Sequence, residues 1–226
     1  MPSITAVAVI IPARDEEELL PACLDAVAAS ARVVDVPVHV VVALDSCRDG
    51  TAGIVRARPW VTSVELDAGS VGAARAAAAA TALTVCGEHG PEELWLACTD
   101  ADSTVPVDWL STQLQLAADG WEVTVGTVDV DDWSGHPDDA RRAWRDGYQP
   151  VEHHPHIHGA NLGLTAAAYL AAGGFPPLPL GEDVALVGRL AGRRVIRTAS
   201  HGVLTSARTS PRASGGFGDY LRSVAG

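Results

Sequence analysis

The stretch Leu94-Trp95-Leu96-Ala97-Cys98-Thr99-Asp100-Ala101-Asp102-Ser103 runs from five apolar residues straight into two acids one residue apart. Apolar side chains at every position, not every second one, predict a strand covered on both faces, as in a parallel sheet flanked by helices. Asp100 and Asp102 then fall at the carboxyl end of that strand, where open α/β sheets bind ligands. In extended chain alternate side chains share a face, so both carboxylates are expected on one side. Two acids so placed can hold a divalent cation. They can equally cap a helix starting near Pro106, and only the neighbouring segments separate the two readings.

Four more β-rich runs, at 7–11, 37–44, 63–66 and 123–128, alternate with helix-like stretches through the first 130 residues. The alternation predicts an α/β domain with a mostly parallel central sheet and helices on both faces. After the first strand, Asp15 is expected to cap a helix carrying Glu16, Glu17 and Glu18 in its first turn, with Leu19, Leu20, Cys23, Leu24 and Val27 as its apolar stripe. The alanine-rich stretch 72–80 reads as a helix packed closely on the sheet, since a flexible linker would use glycine and serine. Arg75 stands alone in it. An unpaired guanidinium is costly to bury, so Arg75 is expected to emerge at the helix's open end.

Past residue 130 the chain turns irregular and polar, through Trp133 and then His153, His154, His156 and His158. The alternating histidines suit an extended surface segment as well as a metal site. Order returns at 159–165, in helices at 166–171 and 182–191, and in short strands at 195–197 and 203–205. Residues 206–226, rich in Ser, Gly and Arg, read as a mobile loop or tail. With no internal repeat and no linker, residues 1–226 are expected to form a single domain.

Composition narrows the chemistry. The 47% of hydrophobic residues suffice for a full core in 226 residues. With 28 acidic against 16 basic residues and a net charge of -12, a nucleic-acid partner is not expected. Every basic residue is an arginine, so a Walker A loop, a pyridoxal Schiff base and a protein-kinase site are all excluded. Cys23, Cys47, Cys86 and Cys98 show no metal-ligand spacing, no apolar run is long enough to span a membrane, and no signal segment opens the chain. A cytoplasmic protein without a transmembrane segment is the expectation.

Each strand-to-helix turn on the same sheet edge carries polar residues. They are Ile11-Pro12-Ala13-Arg14-Asp15-Glu16-Glu17, Ala43-Leu44-Asp45-Ser46-Cys47-Arg48-Asp49-Gly50-Thr51, Gly69-Ser70-Val71-Gly72-Ala73-Ala74-Arg75, and then the D-x-D. Gly159-Ala160-Asn161-Leu162-Gly163, Gly173-Gly174-Phe175 and Gly181-Glu182-Asp183 follow in order. This ordered set, spanning roughly residues 4–208, resembles the family 2 glycosyltransferases, which implies a single Rossmann-like domain of the GT-A type. The resemblance implies a nucleotide-sugar-binding half at 1–130 and an acceptor-binding half at 131–205.

Carried over motif by motif, the resemblance implies that Pro12, Ala13 and Arg14 line the nucleotide pocket, with Glu16 and Ala101 also on the donor side. Asp45 would hydrogen-bond the base, Arg75 would face the base or the diphosphate, and Asp100 would lie near the ribose. Asp102 would ligate Mg²⁺ or Mn²⁺, with Asp100 and His201 as further candidate ligands. Asp183, with Glu182 beside it, would deprotonate the acceptor hydroxyl and invert the sugar. His158, Asn161 and Trp133 would face the acceptor. Arg208 and Arg212 are expected in a closing loop, where a planar guanidinium matches diphosphate oxygens. The implied donor is a UDP- or GDP-sugar, and the acceptor a small-molecule or lipid-linked hydroxyl. The Q-x-x-R-W motif of processive synthases is missing, so one sugar per encounter is expected.

Rival readings use some of the same residues. Ala68-Gly69-Ser70-Val71-Gly72 is similar to a hydrolase nucleophile elbow, and Ser70, Asp183 and His201 follow in α/β-hydrolase order, although Ala68 replaces the first glycine. A nucleotidyltransferase on a related sheet would carry a Gly-rich loop with Arg and Lys after the first strand. Here that turn is acidic. A non-catalytic nucleotide-binding module would have lost Asp102 or Asp183, and both are present.

Overall fold

Strand β1, Ala6–Ala13, divides its side chains between two cores: Ala6, Ala8 and Ile10 pack on one face, and Val7, Val9 and Ile11 on the other. A strand apolar on both sides has to be central, and β1 is. It pairs in parallel with β2 (Val38–Asp45) and with β4 (Leu94–Cys98), while β2 pairs in parallel with β3 (Val61–Leu66). The computed structural model describes residues 3–130, 132–133, 138–206 and 208. In it, β6 (Val123–Val125), β8 (Leu162–Thr165) and β9 (Val195–Arg197) complete a seven-stranded sheet in the order β3-β2-β1-β4-β8-β6-β9. Strand β8 alone runs antiparallel to its neighbours. A second sheet of three short strands, β5 (Ser103–Thr104), β10 (Val203–Thr205) and β7 (Val128–Val130), lies in that order beyond the end of β4.

Helices cover both faces. Helix α3 (Val71–Val85) lies on β1 and β2 with Ala74, Ala78, Ala79 and Ala82 buried against them; methyl-sized side chains let the helix approach the sheet closely. On that face, α6 (Ala166–Ala171) and α7 (Glu182–Gly188) add Ala168, Tyr169 and Leu186. The opposite face is covered by α1 (Leu20–Ala31) and α4 (Trp109–Ala118), with α2 (Thr51–Arg56) beside them. Helix α5 (Asp138–Gly147) sits apart, stacking Trp144 on Tyr148 over β7, with Trp133 packed against that cluster.

Three expectations from sequence are corrected. Asp15 does not cap α1, which starts at Leu20 with no side-chain cap. Asp15 instead sits at a φ of 52° and accepts from the Arg48 N–H (2.6 Å), while the Glu16 N–H donates to the Thr51 hydroxyl (2.7 Å) and Glu17 accepts from the Gly50 N–H (2.7 Å). The acids after β1 thus stitch its turn to the turn after β2, and the helix can begin only beyond them.

The run at 123–128 is two strands, β6 and β7, in different sheets. They part at Gly126, where a Cβ would collide with the Asn161 side chain, whose Nδ2 donates to the Thr127 carbonyl (2.8 Å). The helix expected at 182–191 ends at Gly188.

The close approach of α3 to the 176–178 segment has a measurable consequence. A Cβ at Gly72 would lie 2.7 Å from both the N and the O of Leu178, and would also meet the Pro176 carbonyl. Backbone atoms cannot step aside as a flexible side chain can. Gly72→Ala is therefore expected to lower stability by about 1–3 kcal/mol through overpacking, read as a lower urea midpoint at unchanged m-value.

Candidate active site

Because β1 to β4 are parallel, the turns that follow all four open on one edge, and the polar motifs gather there. Asp45, the last residue of β2, accepts from the N–H groups of Ala68 (2.8 Å), Gly69 (2.9 Å) and Ser70 (2.8 Å) and from the Ser46 hydroxyl (3.0 Å). Burial pushes its pKa up, but these donors outweigh burial and hold the carboxyl below the usual range. Its two oxygens therefore shape the turn into α3 before they can serve any base. Pro12 and Ala13 close β1 on the same edge, and the exposed Arg14 lies beside Gly69.

Arg75 does not emerge from α3. It is 3% exposed, with Nη1 donating to Glu182 and Nη2 to Asp100. Burial opposes its charge, yet Asp100 and Asp183 more than compensate, and its pKa stays above the ordinary value. The guanidinium fills the space against Gly159, where any Cβ would collide with it. Glu182, at the start of α7, is itself buried at 2% exposure. Its neighbour Asp183 is half-buried, with Oδ2 accepting from the Gly159 N–H (2.7 Å). The two adjacent acids thus have different surroundings: Glu182 is locked to an arginine, and Asp183 is pinned by backbone at the cleft. The sequence carries no signal for this role of Gly159, which arises only from its packing against Arg75.

The D-x-D acids part company. The chain turns at once, with the Ser103 N–H on the Asp100 carbonyl (3.1 Å), so the two-residue alternation of extended chain does not apply. Asp100 goes to Arg75. Asp102 goes to Arg208, whose Nη2 lies 2.5 Å from Asp102 Oδ2 and 2.7 Å from Glu16 Oε1. Asp102 Oδ1 also faces the Ser103 and Thr205 hydroxyls (3.3 and 3.5 Å), the latter brought from far along the chain and so beyond the reach of sequence reasoning. Ala101, between the acids, is buried.

Three candidate residues serve the architecture. Asn161, expected to face the acceptor, is 0% exposed and fully hydrogen-bonded: Oδ1 accepts from Trp109 Nε1 (2.9 Å), and Nδ2 donates to the carbonyls of Thr127 and His201 (each 2.8 Å). It ties both sheets together, and no acceptor can reach it. Trp133 is partly buried against the aromatic cluster of α5. His201 is also buried, with Nδ1 at 3.2 Å from the Ser200 hydroxyl, and among the described residues no hydrogen bond joins its ring to Asp102.

Ser70 caps α3, and its hydroxyl donates to the Leu178 carbonyl (2.9 Å). Among the described residues no hydrogen bond joins it to His201 or Asp183, and the hydrolase reading loses its triad. Arg212 and residues 209–226 lie outside the described residues, so of the expected loop only 206 and 208 are described.

A divalent cation was implied at Asp102. Among the described residues no three His, Cys, Asp or Glu side chains gather closely enough to hold a metal by themselves. Asp102 nevertheless offers a hard carboxylate oxygen at 20% side-chain exposure, and a positive group already sits against it. A hard cation completed by oxygens of a bound ligand fits that donor chemistry.

The sequence profile of glycosyl transferase family 2 matches residues 8–169. No curated protein sequence matches. Among solved structures, S. aureus TarS 1–349 in complex with UDP-GlcNAc superimposes with a TM-score of 0.67 at 17% identity, covering 97% of this chain and 64% of that one. The mannosyltransferase PcManGT of Pyrobaculum calidifontis, in complex with GDP-Man and Mn2+, does so with a TM-score of 0.65 at 21% identity, over 99% and 62%. The chain thus spans about three fifths of the length of these relatives. At such identities the likeness establishes a shared fold.

Two buried histidines make stability depend on pH. Burial pushes His158 and His201 down to about 4, in His158 against the opposing pull of Asp183. In the unfolded chain they titrate near the ordinary 6.5. Between those values the unfolded state binds more protons, so their contribution is full above about pH 6.5 and falls as pH drops toward 4. Urea midpoints should decline over that window, and His201→Gln should flatten the slope; an unchanged slope would count against a buried neutral imidazole.

Proposed function

Because the chain belongs to glycosyl transferase family 2, we propose that it transfers a sugar from a nucleotide-sugar donor to an acceptor hydroxyl, one sugar per encounter, with inversion. The observation that carries this reading is the placement of Asp183. It is a half-buried carboxylate oriented by the Gly159 N–H, next to a buried Glu182–Arg75–Asp100 bridge that joins the end of β4 to the start of α7. A general base must be held in one orientation while keeping a lone pair toward the substrate. Asp183 takes the proton of the acceptor hydroxyl, the acceptor oxygen bonds to the anomeric carbon, and the nucleoside diphosphate leaves with the pair from the broken glycosidic bond. His158, whose low pKa keeps it neutral, lies beside Asp183 and hydrogen-bonds the acceptor without competing for its proton.

The donor enters along the edge formed by Pro12, Ala13, Arg14 and Asp45, with its diphosphate near the D-x-D. The complexes of TarS with UDP-GlcNAc and of PcManGT with GDP-Man support a nucleotide-sugar as the ligand class. Charge supports a cation. Glu16, Asp45, Asp100, Asp102, Glu182 and Asp183 contribute six carboxylates to this edge, against the guanidiniums of Arg14, Arg75 and Arg208. A diphosphate adds more negative charge, and the chain has no lysine to meet it. A Mg²⁺ or Mn²⁺ held by Asp102 would neutralise the leaving diphosphate. The Mn2+ in the PcManGT complex supports the same choice.

Two substitutions test the assignment. Asp102→Ala should abolish cation-dependent binding of a nucleoside diphosphate in calorimetry while thermal unfolding shows an intact fold; equal binding with and without Mn²⁺ in wild type would remove the metal role. Asp183→Asn should lower kcat by roughly two to four orders of magnitude at little change in donor KM. Ser70→Ala should stay within about tenfold of wild type, as suits a helix cap.

A further inference from the structure

The carboxylate assigned to the cation position, Asp102, and its neighbour Glu16 already hold a positive charge supplied by the chain. Arg208 Nη1 and Nη2 form two parallel bonds with Glu16, at 2.9 and 2.7 Å, and Nη2 reaches Asp102 Oδ2 at 2.5 Å. One nitrogen therefore touches both acids. The contact is built by the fold. Strand β10 pairs antiparallel with β5, directly after the D-x-D, and the Ser206 N–H donates to the Asp102 carbonyl (3.2 Å). This pairing sets residue 208 beside Asp102, while the Arg208 N–H is steadied by the Ser206 hydroxyl (3.2 Å). On the other side, Glu16 is fixed by its own N–H on Thr51.

A guanidinium and a hard cation satisfy the same demand. Asp102 and Glu16 repel each other when both are ionised, and the donor-free cleft needs a counter-charge between them. Arg208 meets that need with three charge-assisted hydrogen bonds at 20% side-chain exposure, where solvent screens them only partly. With the guanidinium at 2.5 Å on Asp102 Oδ2 and the Ser103 and Thr205 hydroxyls facing Oδ1, a dication approaching Asp102 meets both a crowded carboxylate and the full repulsion of the Arg208 charge.

We propose that Arg208 is the resident counter-ion of the cation position. The divalent cation and the Arg208 guanidinium are alternative occupants of Asp102, so the cation binds only as Arg208 lets go. Glu16, which takes two of the three bonds, is the tether that keeps the released arginine within reach of the cleft. The exchange makes cation binding weak when no donor is present, and couples it to release of the Arg208 side chain. This rests on the reading of Asp102 as the cation ligand, but not on sugar transfer.

The test uses the full chain without nucleotide and titrates Mn²⁺ alone, with free Mn²⁺ followed by its paramagnetic resonance signal and thermal unfolding run in parallel. Arg208→Gln should bind Mn²⁺ at least about tenfold more tightly than wild type, as expected when a competing charge pair is removed. Adding Asp102→Asn to Arg208→Gln should erase the gain. Equal affinity in wild type and Arg208→Gln, absence of binding in both, or a gain that survives Asp102→Asn would each overturn the proposal. Because no donor or acceptor is present, a protein that failed to transfer sugar would still return a clear answer here, so the two readings fail separately.

Discussion

The structure around the cleft depends on one buried cation. Arg75 enters from α3, is 3% exposed, and is held by Asp100 after β4 and Glu182 at the start of α7, with Gly159 pressed against it. A guanidinium so enclosed is tolerable only while its partners remain, since one left unpaired costs about 3–5 kcal/mol. The arrangement therefore constrains all four segments at once. Glycine is needed at 159 because any side chain would occupy the guanidinium's place. Glu182 has to be buried, and burying it orients the next residue, Asp183, toward the cleft. The carboxylate proposed as the base is thus aimed by a neighbour that is itself held by Arg75.

Much of this was legible in the sequence, and the rest failed for identifiable reasons. Uninterrupted apolar runs marked β1, β2 and β4, and their parallel pairing follows from helices alternating with strands, so the shared edge and its turns could be read directly. Periodicity could not reveal which acid meets which arginine. Asp100 and Asp102 looked like one pair because a two-residue spacing was assumed to stay extended, yet the chain turns between them and gives each its own guanidinium. Arg75 was expected to escape burial because its partners lie 25 and 107 residues away. Asn161 sat in a glycine-flanked motif that resembled an acceptor site, and its hydrogen bonds to three distant segments convert it into a fastener.

The same long-range logic explains the acidic turn after β1. Asp15, Glu16 and Glu17 are poor candidates for any anion site by charge, and a helix cap was the natural local reading. Their contacts run sideways to Arg48, Thr51 and Gly50 instead, so the turns after β1 and β2 form one rigid border. Rigid backbone there lets Glu16 keep its carboxylate beside Asp102 despite like charge, provided a cation intervenes.

Under the proposed function, an acid-rich chain whose basic residues are all arginines must meet a diphosphate without ammonium groups. A lysine would bring a compact, mobile charge that follows the ligand, whereas an arginine brings a fork that engages two carboxylates at once. Both arginines deepest in this cleft are used that way: Arg75 between Glu182 and Asp100, and Arg208 between Glu16 and Asp102. Their surroundings differ in one respect. Arg75 is sealed under α7 and the turn at Gly159, so its bridge is permanent. Arg208 keeps 20% of its side chain exposed and lies just past the end of β10, outside the strand pairing, so its bridge can open. In the proposed exchange a diphosphate would therefore have one arginine able to move toward it, and the acid that arginine leaves behind, Asp102, would be the one whose oxygen becomes free for a metal ion.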